Sequence, residues 1–338
     1  MNSEKSRTYK KPSSKQTHPL IGLVVAGVSL LLMIVIFQVL QANKITVLTI
    51  KTANIPLLKA HPHIPSLDSI SDAGHHVYTH SDTYIVPDNI WVKGVQVTVK
   101  NAGDQVIHHL FLARTDKNDE LCPNYPWQAF FVTSEVNAYP QIFPQDYGIF
   151  LPKGTPLKIF AMLHNAAPPL GPGKAYQNVS VEVSLLTQKE SIFKKHVSIE
   201  YHRLHLSDKP CADAERAEIF EVPPHQKEFT KKESSVNGRS TSSYTFPSSG
   251  AIVGMGGHFH PFEGGQDVEV DLSGGPFYTF YAQEQSHGYW KTWTIPINPS
   301  YVRVKKNDTV SISSSYSNPN GYSIRGAMGM AVFYFAKD

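Results

Sequence analysis

Along most of this chain apolar and polar residues alternate with a period of two. Residues 95–100 (VQVTVK), 178–186 (NVSVEVSLL) and 268–272 (VEVDL) send every second side chain to one face, as a strand with one buried side requires. Runs at 45–50, 106–112, 148–151, 157–163, 217–222, 243–246, 251–254, 277–282, 292–297, 302–305, 309–314 and 327–335 read as further strands. Asn101-Ala102-Gly103-Asp104 reads as a turn, and the Pro/Gly stretch 166–173 as a loop. No useful helical period occurs between 42 and 338. The expected fold is therefore all-β, with two tandem jelly-roll-like β-sandwiches. One is expected over 85–198 and the other over 199–338. Their junction falls near Ser198, within a charged segment, 188–215, that also holds His196, His202 and His205.

Residues 20–40, LIGLVVAGVSLLLMIVIFQVL, break the alternation and carry no charge. About 20 apolar residues of helix cross a bilayer core, so 19–41 is expected to be a transmembrane helix. A cleaved signal peptide would have a shorter apolar region ending in small residues, and Leu40-Gln41-Ala42 is a poor cleavage site. Ahead of the helix, residues 1–18 carry Lys5, Arg7, Lys10, Lys11 and Lys15 against Glu4 alone, a net +4. The positive-inside rule keeps that tail cytoplasmic. The bulk of the chain is then periplasmic or extracellular, behind a stalk and His-rich loop over 42–84. The whole chain is +3, so the part beyond the tail is close to neutral, and nucleic-acid binding, which wants a basic face, is not expected. Cys122 and Cys211 suit an oxidising compartment, as one disulfide or as two unrelated thiols.

The histidines bring in chemistry. GMGGHFHPFEGG at 254–265 sets His258 and His260 one residue apart. On a strand both imidazoles then point to one side, a two-toothed metal grip. Met328 follows in the final strand, with Met330 two residues on. The first half has the pair His108-His109 and, 55 residues later, His164. Adjacent strand residues face opposite ways, so His108 and His109 hold one metal only at a bulge or a strand end. Three imidazoles suit copper, zinc or iron, while two imidazoles with a thioether point to copper, because soft sulfur stabilises Cu(I). Glu263 is the nearest carboxylate, and no facial-triad spacing appears. His61, His63, His75, His76 and His80 lie in a Pro/Ser-rich loop. They face solvent by default, and histidine-rich tracts also bind metal.

The order HH, H, HxH, M across two β-domains resembles the copper type II ascorbate-dependent monooxygenases, which include the peptidylglycine α-hydroxylating and dopamine β-monooxygenase families. VIHHLFL at 106–112 is similar to the family's HH strand. FPQDYG (143–148), LPKG (151–154) and MLHN (162–165) resemble the approach to its third histidine, and GAMGMAVFYF (326–335) resembles its methionine strand, favouring Met328 over Met330. The resemblance covers roughly 85–338. It implies an electron-transfer copper on His108, His109 and His164, and an oxygen-binding copper on His258, His260 and Met328. It also implies ascorbate or another reductant, and a small organic substrate hydroxylated with O2. The chain departs from the peptide-hydroxylating branch in several places. Gly256 stands where that branch has an arginine two before the HxH, Met162 where it has a glutamine, and Met330 and Val332 where it has a substrate-binding Asn and Tyr. A non-catalytic copper-binding protein on the same scaffold is the main alternative. A cupin-like barrel using His258, His260 and Glu263 lacks a second motif, and a metal-free structural ectodomain is the last competitor.

Overall fold

The computed structural model describes residues 19–42, 44–62, 76–133, 141–167, 174–191, 194–211, 219–260, 264–273, 275, 277–281, 283–284, 290–291, 294–296 and 302–338. The basic tail, residues 63–75 of the His-rich loop, and Pro261, Phe262 and Glu263 lie outside them. The chain divides into two compact units, Met1–Lys44 and Ile45–Asp338.

The first unit holds one helix, Pro19–Ala42. Its side chains are described from 27 to 40, and its large apolar residues there, among them Leu31, Met33 and Phe37, are exposed. Among the described residues no helix is long and apolar enough to cross a membrane.

The second unit is built of strands, with a single 3-10 turn at Asp104–Val106 among its described residues. A twelve-stranded sheet runs through it. Its order is Thr46–Lys51, Tyr176–Lys189, Ile90–Lys100, Tyr147–Leu151, Val197–Leu206, Ile324–Lys337, Gly250–Phe259 and Thr294–Pro296, with short strands added at the sides. A five-stranded sheet centred on Pro156–His164 and Ile107–Arg114 covers part of it. A second, centred on Thr309–Asn318 and Gly265–Leu272, covers another part. This is the all-β sandwich class that the alternation predicts.

Two apolar cores result, and they share strands. Val92, Leu110, Ile159 and Val183 belong to the first core, while Phe220, Phe259, Val270 and Ile312 belong to the second. On Ile324–Lys337, Tyr334 and Ala336 enter the first core, and Phe333 and Phe335, which alternate with them, enter the second. Successive side chains face opposite ways, so the two cores lie on opposite faces of this strand. Its residues are buried continuously from 326 to 336, and Gly250–Phe259 is buried at every position. A strand buried on both faces loses its alternation and reads as an unbroken apolar run.

The junction expected near Ser198 therefore falls inside the strand Val197–Leu206, which pairs in parallel with Tyr147–Leu151 and antiparallel with Ile324–Lys337. Its sequence, VSIEYHRLHL, reads as charged surface, yet Ile199 enters one core and Leu204 and Leu206 the other. Gln128–Thr133 and Gln226–Lys231 are likewise strands that the sequence pattern did not disclose. Cys122 and Cys211 form a disulfide, with Cα atoms 5.2 Å apart, that ties a loop of the first half to the second.

Candidate metal centre

The strand Ile107–Arg114 pairs with Pro156–His164, but the register shifts: Met162 stands opposite His109 and Leu163 opposite Ile107. His108 has no opposite number and is the extra residue of a β-bulge. The bulge is what brings adjacent histidines together, with ring centroids 4.2 Å apart. Beyond it, Leu110 and Leu112 point into the first core. His109 and Phe111 take the other face, and Phe111 packs on the small cluster that joins Ala129 and Val132 to Met330 and Val332 of the shared sheet. His164 ends its strand, 6.2 Å from His108 ring to ring and edge-on.

The HxH arm arrives from the shared sheet. Gly257 lies against Phe280: a Cβ there would stand 2.7 Å from the ring carbon Cγ. Glycine lets the covering sheet come that close, and Phe259 fills the second core. His258, on the alternate face, points toward the first half. Its backbone register partner is Met330.

The two sets of histidines meet. His109 Nε2 and His258 Nε2 are 2.9 Å apart. Ring centroids are 4.9 Å apart for His108 and His260, and 5.2 Å for His258 and His260. One ring nitrogen from each of His108, His109 and His260 lies within 4.8 Å of the others. The expectation of separate pockets in separate domains does not describe this arrangement. All five histidines form one buried cluster, because the His109 face of the first half packs on the strands that carry His258.

The cluster suits a metal ion. Two imidazole nitrogens bound at about 2.0–2.1 Å to one ion stand roughly 2.9–3.4 Å apart, for angles from square to tetrahedral. The His109–His258 pair has that bite. Without an ion, one ring donates its N–H to the lone pair of the other. Burial holds the His258 pKa well below the ordinary histidine range, and the nearby His109 and His260 push the same way. The ring is neutral, which keeps a lone pair for a ligand. His260 Nδ1–H donates to the Gly326 carbonyl at 2.8 Å, so its lone pair sits on Nε2. Such an outer hydrogen bond fixes the tautomer of a metal-binding histidine.

Tyr316, fully buried, joins the HxH arm to the methionine strand. Its hydroxyl accepts the backbone N–H of His260 (3.1 Å) and of Met328 (2.9 Å), and donates to the Met328 carbonyl (2.7 Å). Met328 is thus tied to His260 through the backbone, while Met330 is the residue in register with His258. Of the stalk histidines, His76 stands opposite His164 and His80 opposite Phe160 in the ladder, whereas His63 and His75 lie outside the described residues. His196 stacks on Trp91, and His202 packs on Phe333 and Tyr244, in other surroundings.

Two buried residues beside the cluster carry no clear mark in the sequence. Tyr316 lay just beyond the strand read over 309–314, which the structure extends to Thr309–Asn318. His205 lay in the charged segment, yet it is fully buried and pairs in register with Met330. The alternation of Tyr201, Arg203 and His205 within VSIEYHRLHL was the available signal.

No protein-family model matches the chain, and the curated proteins give no significant match. Among solved structures, a peptide-N(4)-(N-acetyl-beta-D-glucosaminyl) asparagine amidase is similar over 87% of this chain and 97% of its own, with 11% identity and a TM-score of 0.39. The major capsid protein P2 from bacteriophage PM2 is similar over 86% and 97%, with 8% identity and a TM-score of 0.35. Likenesses this weak carry no argument about function.

Proposed function

We propose that this chain is a copper-dependent, monooxygenase-like protein, anchored by its N-terminal helix with its β-unit outside the cytoplasm. The observation that carries the reading is the convergence of five buried histidines from both halves, with His109 and His258 nitrogens 2.9 Å apart. The donors are imidazoles, and thioethers stand on the adjoining strand, a combination that favours copper over magnesium, calcium or non-haem iron. His108, His109, His258 and His260 would hold copper together, with His164 edge-on to His108 and Met328 tied to His260 beside them. Bound copper would supply one-electron redox chemistry toward O2 with an external reductant such as ascorbate. The chain's own part is to keep His258 neutral, to fix the His260 tautomer through Gly326, and to exclude bulk water by burial.

A non-catalytic copper-binding role on the same scaffold is favoured by one observation. Met330 and Val332, where the peptide-hydroxylating branch has substrate-binding residues, are buried against Ala129 and Val132. The anchor rests on the uncharged stretch 20–40.

The test is copper content by elemental analysis of purified protein, followed by oxygen uptake with ascorbate. His258→Ala should lower the copper bound by about one per chain, because its ring nitrogen lies against that of His109 in the shared cluster. Unchanged copper content would show that the site is wrong. Full copper loading with no ascorbate-dependent oxygen uptake would select the non-catalytic role.

A further inference from the structure

The cluster has a neighbour on the shared sheet. His258 pairs with Met330 on one side, and Met330 pairs with His205 on the other. Directly opposed residues on adjacent strands share a face, so the row His258, Met330, His205 crosses three strands. With strands about 4.8 Å apart, the Met330 backbone stands midway between those of the two histidines, on the face they share.

His205 is fully buried, and neither ring nitrogen has a hydrogen-bond partner among the described residues. Its backbone needs are met by Thr241, whose carbonyl accepts the His205 N–H at 2.8 Å and whose hydroxyl donates to the His205 carbonyl at 3.0 Å. Burial with the positive Arg203 nearby pushes the ring pKa down to about 3, so it is a neutral imidazole with an available lone pair. As packing alone it is a poor choice. Burying a polar group without a partner costs on the order of 1–3 kcal/mol, which Leu or Phe at this place would not incur. The Arg203 charge on the same face is balanced by Asp119 at 3.4 Å.

We propose that His205 and Met330 form a further soft-metal position, a Cu(I) station beside the histidine cluster. One imidazole and one thioether are the donors that Cu(I) prefers, and the next ligand in the row, His258, belongs to the cluster itself. The station is a binding position for Cu(I) on its way into or out of the cluster. The inference rests on the copper reading above, and the experiment separates the two.

Full-length protein in detergent is reduced and titrated anaerobically with Cu(I) against a chromophoric competitor, and bound copper is counted per chain. His205→Phe keeps a buried ring without nitrogen, and Met330→Leu keeps the volume without sulfur. Each is expected to lose one equivalent, the double variant to lose no more than either, and the copper–sulfur scattering in X-ray absorption to fall equally in both. The equivalents that His258→Ala removes should remain. Wild-type copper content and sulfur scattering in both variants overturn the station. A wild-type protein that binds no copper, or a His258→Ala variant that keeps every equivalent, instead removes the copper reading beneath it. Should His205→Phe fail to fold, Met330→Leu carries the test, since that exchange costs little in a packed core.

Discussion

Replacing Tyr316 with Phe removes a single oxygen from the interior and leaves the ring. In the structure that oxygen serves three backbone groups, the N–H of His260 and both the N–H and C=O of Met328. Tyr316 has no exposed surface, so water cannot take its place. A buried N–H left without a partner costs about 1–3 kcal/mol, and two of them, with some relaxation, give an expected loss of about 2–4 kcal/mol in unfolding free energy. The effect on metal should be larger than that on fold alone. The hydroxyl holds the His260 and Met328 backbones at one spacing, and loss of such an outer-shell partner typically weakens metal binding 10–100-fold. Denaturant unfolding of metal-free protein gives the first quantity, and anaerobic Cu(I) competition gives the second. A variant destabilised as expected but with wild-type copper affinity would mean that Tyr316 braces the strands and nothing more. A variant unchanged in both would refute the hydrogen-bond arrangement itself.

Two further outcomes concern stability. Cys122→Ser with Cys211→Ser opens a crosslink between residues 89 apart, and loop-closure entropy puts the loss at about 4–5 kcal/mol. Paired unfolding curves of oxidised and variant protein check it, and a loss under about 1 kcal/mol would contradict the entropic account. Lys93 is buried, and burial, with Lys194 adding repulsion, pushes its pKa down to about 8. Between pH 8 and 10 the unfolded chain holds a proton that the folded one has released, so stability should rise with pH, by about 2 kcal/mol, and be lost again as pH falls through 8. Above pH 10 the buried Tyr334 and half-buried Tyr244, whose pKa values burial raises, pull the other way. Lys93→Met should abolish the rise and be the more stable protein at pH 7; a slope that persists in it would assign the effect to another group.

Much of this protein was legible along the chain because alternation is a local property. Residues 95–100, 178–186 and 268–272 are strands in the structure as the pattern requires. The spacing of His258 and His260 put both on one face, and the adjacent His108 and His109 called for a bulge or a strand end, of which the register shift at Met162/Leu163 provides the first. Three things were decided only by tertiary packing. Val197–Leu206 looked like a charged linker because its two faces serve two different cores, so no single apolar face shows in the sequence. The pairing of Cys122 with Cys211 depends on how the halves fold together, which a separation of 89 residues does not encode locally. The meeting of His109 with His258, and the row that adds Met330 and His205, depends on register between strands far apart in sequence. A slip of one residue there would turn each ring to the opposite face, and what holds the register is the packing of both cores against the strands they share.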